Sequence, residues 1–394
     1  MALILQTWMR WLMRIMLPFS RWRVPVVLLR GPDRASGREV HLLGAGWGYD
    51  FIRERFFASE PAVVRTVTVP VWRLERLLGD WRAQAALTVI GIDRVSSRVF
   101  LRRRYLAVPM SVGSLMEVPK DMKAFARQRK NCAADIRRVR IRKLDAHFSR
   151  DEEDFDLFYD RFYKPHVSRR HGSLAVVGAR ARIRLIFKSG MLMWITRNGE
   201  LLAASIEIVR GKDYYRMVNG VMDGRADLLV EGVLSATYVY SIEKARALGC
   251  TRIHMGGNEP SPHDGVFRYK NKWATDITLN DSILGGNCIL LLDWNQLAGP
   301  VADFFSHTSL FHHDMGGFSA LWAFPHSEPL TAENLERQYK RLKTHGLHSF
   351  HILLPGGVPV DFVCPSEVHL IPLPVVNTGG PEGLTSYLRG KKRA

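Results

Sequence analysis

The residues best suited to chemistry lie between positions 250 and 274. There the chain reads Cys250-Thr251-Arg252-Ile253-His254-Met255-Gly256-Gly257-Asn258-Glu259-Pro260-Ser261-Pro262-His263-Asp264-Gly265-Val266-Phe267-Arg268-Tyr269-Lys270-Asn271-Lys272-Trp273-Ala274. An apolar run ends in Gly256 and Gly257, and residues without a Cβ let backbone approach a ligand closely. A proline-rich turn follows, and Asp264-Gly265 then opens a helix whose unpaired N–H groups suit an anion. Lys270 and Lys272 follow beside Tyr269 and Trp273. The expectation is a pocket bounded by glycine backbone and a lysine-bearing helix, built to receive negative charge.

Elements of both kinds must position that pocket. Asp151, Glu152 and Glu153 start a helix in the way its dipole favours. Phe155, Phe158, Tyr159, Phe162 and Tyr163 then recur at helical spacing up to Pro165, an aromatic face whose plainest use is core packing. Strand character follows at 191–196. A hairpin is predicted from strands 201–209 and 214–221, joined through Gly211-Lys212-Asp213. A helix over 232–248 ends at Gly249, and a strand over 251–255 leads into the glycines. Strands at 277–284 and 288–292 are expected to close this unit. Upstream, strands are predicted at 24–29, 62–71 and 87–92, with helices at 72–84 and 120–137. The alternation Arg138-Val139-Arg140-Ile141-Arg142 has period two and predicts a strand with three arginines on one face, a solvated edge or a phosphate-facing surface. Downstream come a strand at 319–324, a helix at 331–345 and a strand at 349–354. The fold class is α/β, with an amphipathic segment at 1–23, one unit at 24–148, a second at 149–294 and an α/β extension at 295–394.

With 394 residues, 46% of them hydrophobic, the chain can bury sizeable cores without covalent staples. Its four cysteines lie far apart and suggest neither a zinc motif nor a disulfide framework, so no metal is expected and a reducing cytosol is the default. The formal net charge of +18 draws anions: phosphates, nucleic acid or an anionic membrane surface. In the first seventeen residues Gln6, Arg10 and Arg14 share one helical stripe, with Trp8, Trp11, Leu12 and Ile15 elsewhere. Two arginines argue against a spanning helix, and no small-residue cleavage site follows. The segment suits a helix lying in a membrane interface, or one packed on the protein itself. A cytoplasmic protein, peripheral to the inner membrane face, is the expectation.

The order Gly-Gly, proline loop, Asp-Gly-Val, aromatic, Lys, Lys-Trp resembles the motif of the Fem-like acyltransferases, a branch of the GNAT superfamily. That branch includes peptidoglycan bridge-forming peptidyltransferases and cellulose-biosynthesis-type acetyltransferases. Phe162-Tyr163-Lys164-Pro165-His166 and Arg170-His171-Gly172 resemble the branch's aromatic helix with its Tyr-x-Pro and Arg-His-Gly elements, and the resemblance spans about residues 118–275. It implies tandem GNAT-like mixed sheets, the first copy degenerate and the second splayed at its middle around the acyl carrier. It implies Lys270 as the stabiliser of the oxyanion that forms when an amine attacks a thioester or ester. Tyr269, Gly256, Gly257, Trp273, Tyr163, Arg170 and His171 become candidate binding residues.

The attacking amine must be neutral, so a group must take its proton. Glu207 and Asp264 are the candidates, with His263 and His254 behind them. Each has a plainer alternative: Asp264 as helix cap, Glu207 facing solvent between Ile206 and Ile208, His254 as a packing residue, Lys270 as an exposed helix lysine. Where acetyl-CoA enzymes carry a glycine-rich pyrophosphate loop, this chain has Asp223-Gly224-Arg225-Ala226-Asp227, with Arg225 left to meet phosphate. The expected activity moves an acyl group from acyl-CoA, a co-substrate and not a resident cofactor, or from an acyl carrier protein, to an amine of an envelope, polysaccharide or amino-acid-type acceptor. The alternatives are an aminoacyl-tRNA-dependent peptidyltransferase and a basic protein that binds nucleic acid or anionic lipid without catalysis.

Overall fold

The computed structural model describes residues 16, 20–171, 177–280, 286–314, 317–355, 362–373 and 381–390. Most of the segment 1–23 therefore lies outside the described residues, as does the basic end at 391–394. The chain forms two compact units. The first comprises Met1–Val112, Gly257–Arg268 and Ile277–Ala394; the second comprises Gly113–Gly256 and Tyr269–Asp276. Sequence reasoning drew its boundaries after 148 and 294 instead.

The first unit opens with β1 (Arg23–Pro32), β2 (Glu39–Gly46), α1 (Asp50–Phe56), β3 (Ala62–Pro70), α2 (Val71–Arg82), β4 (Leu87–Asp93), α3 (Arg94–Phe100) and β5 (Leu106–Pro109). The second unit contributes β6 (Val112–Glu117), α4 (Met122–Gln128), α5 (Lys130–Ile141), β7 (Asp145–Ser149), α6 (Glu152–Leu157), a π-helical turn over Phe158–Tyr163, and α7 (Lys164–His171). Then follow α8 (Arg180–Lys188), β8 (Met191–Arg197), β9 (Glu200–Arg210), β10 (Asp213–Val221), α9 (Ala226–Glu231), α10 (Val233–Ala247), β11 (Arg252–Asn258), α11 (Gly265–Asn271) and β12 (Asp276–Leu279). The remainder is β13 (Cys288–Trp294), α12 (Pro300–His307), β14 (Leu310–Asp314), β15 (Gly317–Ala323), α13 (Ala332–Leu342), β16 (Leu347–Leu354), β17 (Val368–Pro372) and α14 (Pro381–Gly390). The class is mixed α/β: sheets of order β3-β1-β2-β4-β13-β5, β12-β6-β11-β10-β9-β8-β7 and β14-β15-β16-β17, flanked by helices.

Two expectations fail for identifiable reasons. The Arg138–Arg142 segment is not a strand, because Lys130–Ile141 is helix α5. Cys132, Ile136 and Val139 recur at helical spacing and bury, whereas Ile141, which a strand would put on Val139's face, is 64% exposed. The longer helical period outweighs five residues of alternation. Strand β13 does not close the second unit, since it pairs antiparallel with β4 and β5 in the first.

Each unit's sheet contains parallel pairing, and the two pairs differ. In the first unit β2 and β4 stay paired from Leu42/Leu87 to Gly46/Gly91, and Trp47 N–H then donates to the Gly91 carbonyl at 3.1 Å. Glycine is required there: a Cβ on Gly91 would lie 1.6 Å from the Trp47 oxygen. In the second unit β7, β8, β9 and β10 are antiparallel neighbours, and β10 pairs in parallel with β11 over Asp213–Tyr215 and Arg252–His254 only. The mixed, parted sheet implied by the resemblance is therefore present in the second unit, while the first unit's parallel pair stays shut. Gly91→Ala should destabilise the chain by about 3 kcal/mol or prevent folding, since backbone must move to admit the methyl. Its urea midpoint against wild type checks this.

Candidate active site

β9 and β10 place Glu207 directly opposite Arg216. Alternation along β9 turns Ile206 toward the aromatic cluster of Phe155, Phe158 and Phe162, and Glu207 toward α10. Because both faces of the sheet are covered, alternation does not deliver Glu207 to solvent: it is 0% exposed and Arg216 4%. The Arg216 guanidinium donates to Thr237 Oγ1 at 2.6 Å and Asn219 Oδ1 at 3.1 Å, and its Nε lies 3.6 Å from Glu207 Oε1. Its carbon sits 3.5 Å from the centre of the Tyr238 ring, so the cation is partnered by a π face as well.

Ser241 Oγ lies 3.1 Å from Glu207 Oε1 and 2.6 Å from the Thr237 carbonyl. A hydroxyl carries one proton. Given to the nearer carbonyl, it leaves Ser241 an acceptor, a role that a protonated Glu207 completes by donating. Burial pushes the Glu207 carboxyl up to about 7, with the Arg216 charge and hydroxyl contacts opposing. Glu207 Oε2 makes no hydrogen bond among the described residues.

The pairing of β10 with β11 stops at Tyr215 and His254, although β10 runs on to Val221 and β11 to Asn258. A register shift between Arg216 and Val218 re-aims the strand just past the last pair. On the other strand Gly256 has φ +76°, a left-handed conformation that favours glycine. A Cβ built there would lie 3.7 Å from the Arg216 carbonyl oxygen and 3.7 Å from Lys270 Nζ. The half-buried Lys270 thus reaches its ammonium to the place where the strands part.

Tyr269 backs this site. Its hydroxyl is 3.0 Å from Ser235 Oγ, and burial holds it above the usual tyrosine range. Trp273 is fully buried, stacked on Tyr238 at 5.4 Å and Phe125 at 6.5 Å, which makes it core and not a ligand contact. Lys272 is ion-paired with Asp135, and its ammonium lies 4.0 Å from the Tyr269 ring centre.

Other candidates fall elsewhere. Asp264, in the first unit, accepts from the Val266 and Phe267 amides at 3.2 and 2.9 Å, the geometry of a helix cap. His263 Nδ1 accepts from Ser309 N–H at 3.0 Å, and burial holds its imidazole down to about 4, hence neutral. His254 stacks on Tyr215, with ring centres 4.3 Å apart. Gly257 is also in the first unit, where a Cβ would meet Asn280 Nδ2 at 2.3 Å. Arg225 is exposed and forked onto Asp227 at 3.2 and 2.5 Å. The Tyr163 hydroxyl accepts from Gly178 N–H at 3.0 Å in the aromatic cluster. Arg170 and His171 end α7, and their side chains lie outside the described residues. Sequence reasoning missed Arg216, Thr237, Tyr238 and Ser241. Arg216 was findable: counting back from the hairpin turn puts the one cation of an apolar strand opposite Glu207.

No family model and no curated protein sequence matches the chain. Among solved structures it is similar to L-PGS from Bacillus licheniformis, at 10% identity over 66% of this chain and 82% of that one, with a TM-score of 0.35. It is also similar to FemX (11% identity, 71% and 90% covered, TM-score 0.37). A GCN5-related N-acetyltransferase from Kribbella flavida is similar at 10% identity, with 76% and 62% covered and a TM-score of 0.28. These likenesses are faint, and the chain's own strand order and side chains carry the functional reading.

The raised Glu207 carboxyl makes stability depend on pH with a definite sign. The folded state holds a proton that the unfolded chain releases near 4.5, so stability is greatest below that value and declines as pH rises toward about 7. In Glu207→Gln this decline should vanish; urea midpoints across the interval, measured for both proteins, decide it.

Proposed function

We propose that the second unit is an acyltransferase that joins an activated acyl group to an amine, with the reacting carbonyl held where β10 and β11 part. One observation carries the reading: Lys270 Nζ and the Arg216 carbonyl both lie 3.7 Å from the Cβ position that Gly256 leaves empty, at the end of a parallel pairing only three residues long. Attack on a thioester or ester drives negative charge onto the carbonyl oxygen. A preorganised ammonium at a half-buried position stabilises that charge without reorganising solvent. Free amide groups on the parted strands are further donors for an extended acyl carrier.

The amine attacks as its free base. Glu207, with its carboxyl near 7, suits proton transfer at neutral pH. It is enclosed, so the proton reaches it through a bridging water or hydroxyl, and the unpartnered Oε2 is the acceptor for that bridge. Arg216 offsets the carboxylate charge once the amine is consumed and the proton has moved on. Asp264 is not assigned this role, because two backbone amides already occupy its carboxylate.

An acyl-CoA or acyl-carrier-protein donor, with an envelope, polysaccharide or amino-acid-type amine as acceptor, is the primary reading. An aminoacyl-tRNA donor is the second. The segment between β10 and α10 folds as helix α9 in place of a glycine-rich loop, and Asp227 already holds Arg225, which weakens the case for a CoA pyrophosphate there. The charge of +18 suits RNA equally. RNase treatment of a transfer assay separates the two, since only the second donor contains RNA.

Lys270→Ala should lower the transfer rate by about 10²–10³-fold with an unchanged circular-dichroism melt, the loss expected for one oxyanion donor. The assay offers the protein a mixture of CoA thioesters, and separately charged tRNA, with product read by mass spectrometry. Transfer at the wild-type rate by the folded variant would overturn the role given to Lys270.

A further inference from the structure

We propose that the groove between α4 and α5 binds an amphiphilic anion, a single apolar chain ending in a phosphate or a carboxylate. The groove measures about 410 Å³, within the range of small-ligand sites. Its floor is apolar: Met122 and Ile136 are buried, and Ala126 and Ala133 are half-buried. The two alanines leave open a space that larger side chains would close. Its rim carries four exposed cations, Lys123, Arg127, Arg137 and Arg140. Spacings of four and three residues, 123 to 127 and 137 to 140, turn these cations to one side of each helix.

The acids nearby are already engaged. Asp121 caps α4 through the Lys123 and Ala124 amides at 2.8 and 3.1 Å. Asp135 is paired with Lys272 and with Arg138. Four cations around an apolar slot, with the local carboxylates committed, call for a ligand that brings its own negative charge. The floor decides what else the ligand carries. Single-stranded nucleic acid uses aromatic stacking platforms, and no aromatic ring among the described residues lines this groove. A bare phosphate would leave the floor unused. An acyl or alkyl chain fills it and places the acidic end among the arginines.

The groove is also preformed. Arg129, at the elbow between the helices, donates to the Lys272 and Ala274 carbonyls at 3.1 and 2.7 Å. Cys132 Sγ contacts the Lys272 carbonyl at 2.9 Å. These bonds fix both helices on the segment just after Lys270, so the slot is not a product of two loose helices. Such a site is independent of the transferase reading, since it needs only the slot and its charge.

Isothermal titration of the full chain with decyl phosphate, decanoate, decanol and inorganic phosphate tests it. Decyl phosphate and decanoate should bind, with decanol and inorganic phosphate at least about tenfold weaker, because neither satisfies both floor and rim. Ala126→Trp should fill the slot, and the double variant Arg137→Glu with Arg140→Glu should repel the head; each should weaken decyl phosphate binding by about tenfold or more. Two variants of different kinds guard against one that merely misfolds, and a circular-dichroism melt checks each. Decanol binding as tightly as decyl phosphate, or decyl phosphate binding that survives both variants, overturns the proposal. So does retention on phosphatidylglycerol vesicles that needs the arginines but ignores Ala126→Trp, which would make this face a flat electrostatic contact.

Discussion

A carboxyl group and a guanidinium share a dry space between β9, β10 and α10, and the second unit is arranged around that constraint. Removing two charges from water costs several kcal/mol each, and mutual attraction alone seldom recovers it. The chain supplies other partners. Arg216 takes a hydroxyl, an amide oxygen and a ring face, and Glu207 moves toward its neutral form beside Ser241. A pair this expensive sits one residue beyond the last pairing of β10 with β11. Ordinary packing would be served by apolar residues there, and the pair gives the parted strands a proton acceptor and a fixed field.

The two parallel pairs show how small sequence differences open or close a sheet. Gly46 and Gly91 let β2 and β4 approach until a methyl group on either would collide with backbone. In β10 the register shift at Met217 and in β11 the left-handed Gly256 do the reverse, turning the strands away from each other. Glycine closes one pair by permitting contact and opens the other by permitting a turn. Glycine count alone therefore says little; position against the neighbouring strand says more.

Much of this was legible in the sequence where patterns were long. The hairpin of β9 and β10, helix α10 with Gly249 after it, and the strand leading to Gly256 all follow from periodicity and turn chemistry. Lys270 was singled out by its place after two glycines and a helix start, and its ammonium lies beside one of those glycines. What the sequence concealed was tertiary. Glu207 alternates with isoleucines as a solvent-facing residue would, and only the cover supplied by α10 makes it buried. Trp273 reads as a binding aromatic until Tyr238 and Phe125 enclose it. Asp264 reads as an acid or a cap with equal ease, because both need a carboxylate before a helix. The arginine run at 138–142 misled because five residues cannot outweigh the helical spacing of Cys132, Ile136 and Val139.

The protonation of Glu207 beside Arg216 is the central claim. A carbon-NMR titration of the glutamate side-chain carboxyls, in wild type and in Glu207→Gln, measures it directly. One resonance should titrate near 7 and be absent from the variant, while the others move in the ordinary acidic range. A Glu207 carboxyl that titrates with the exposed glutamates, or stays ionised throughout, would contradict the claim.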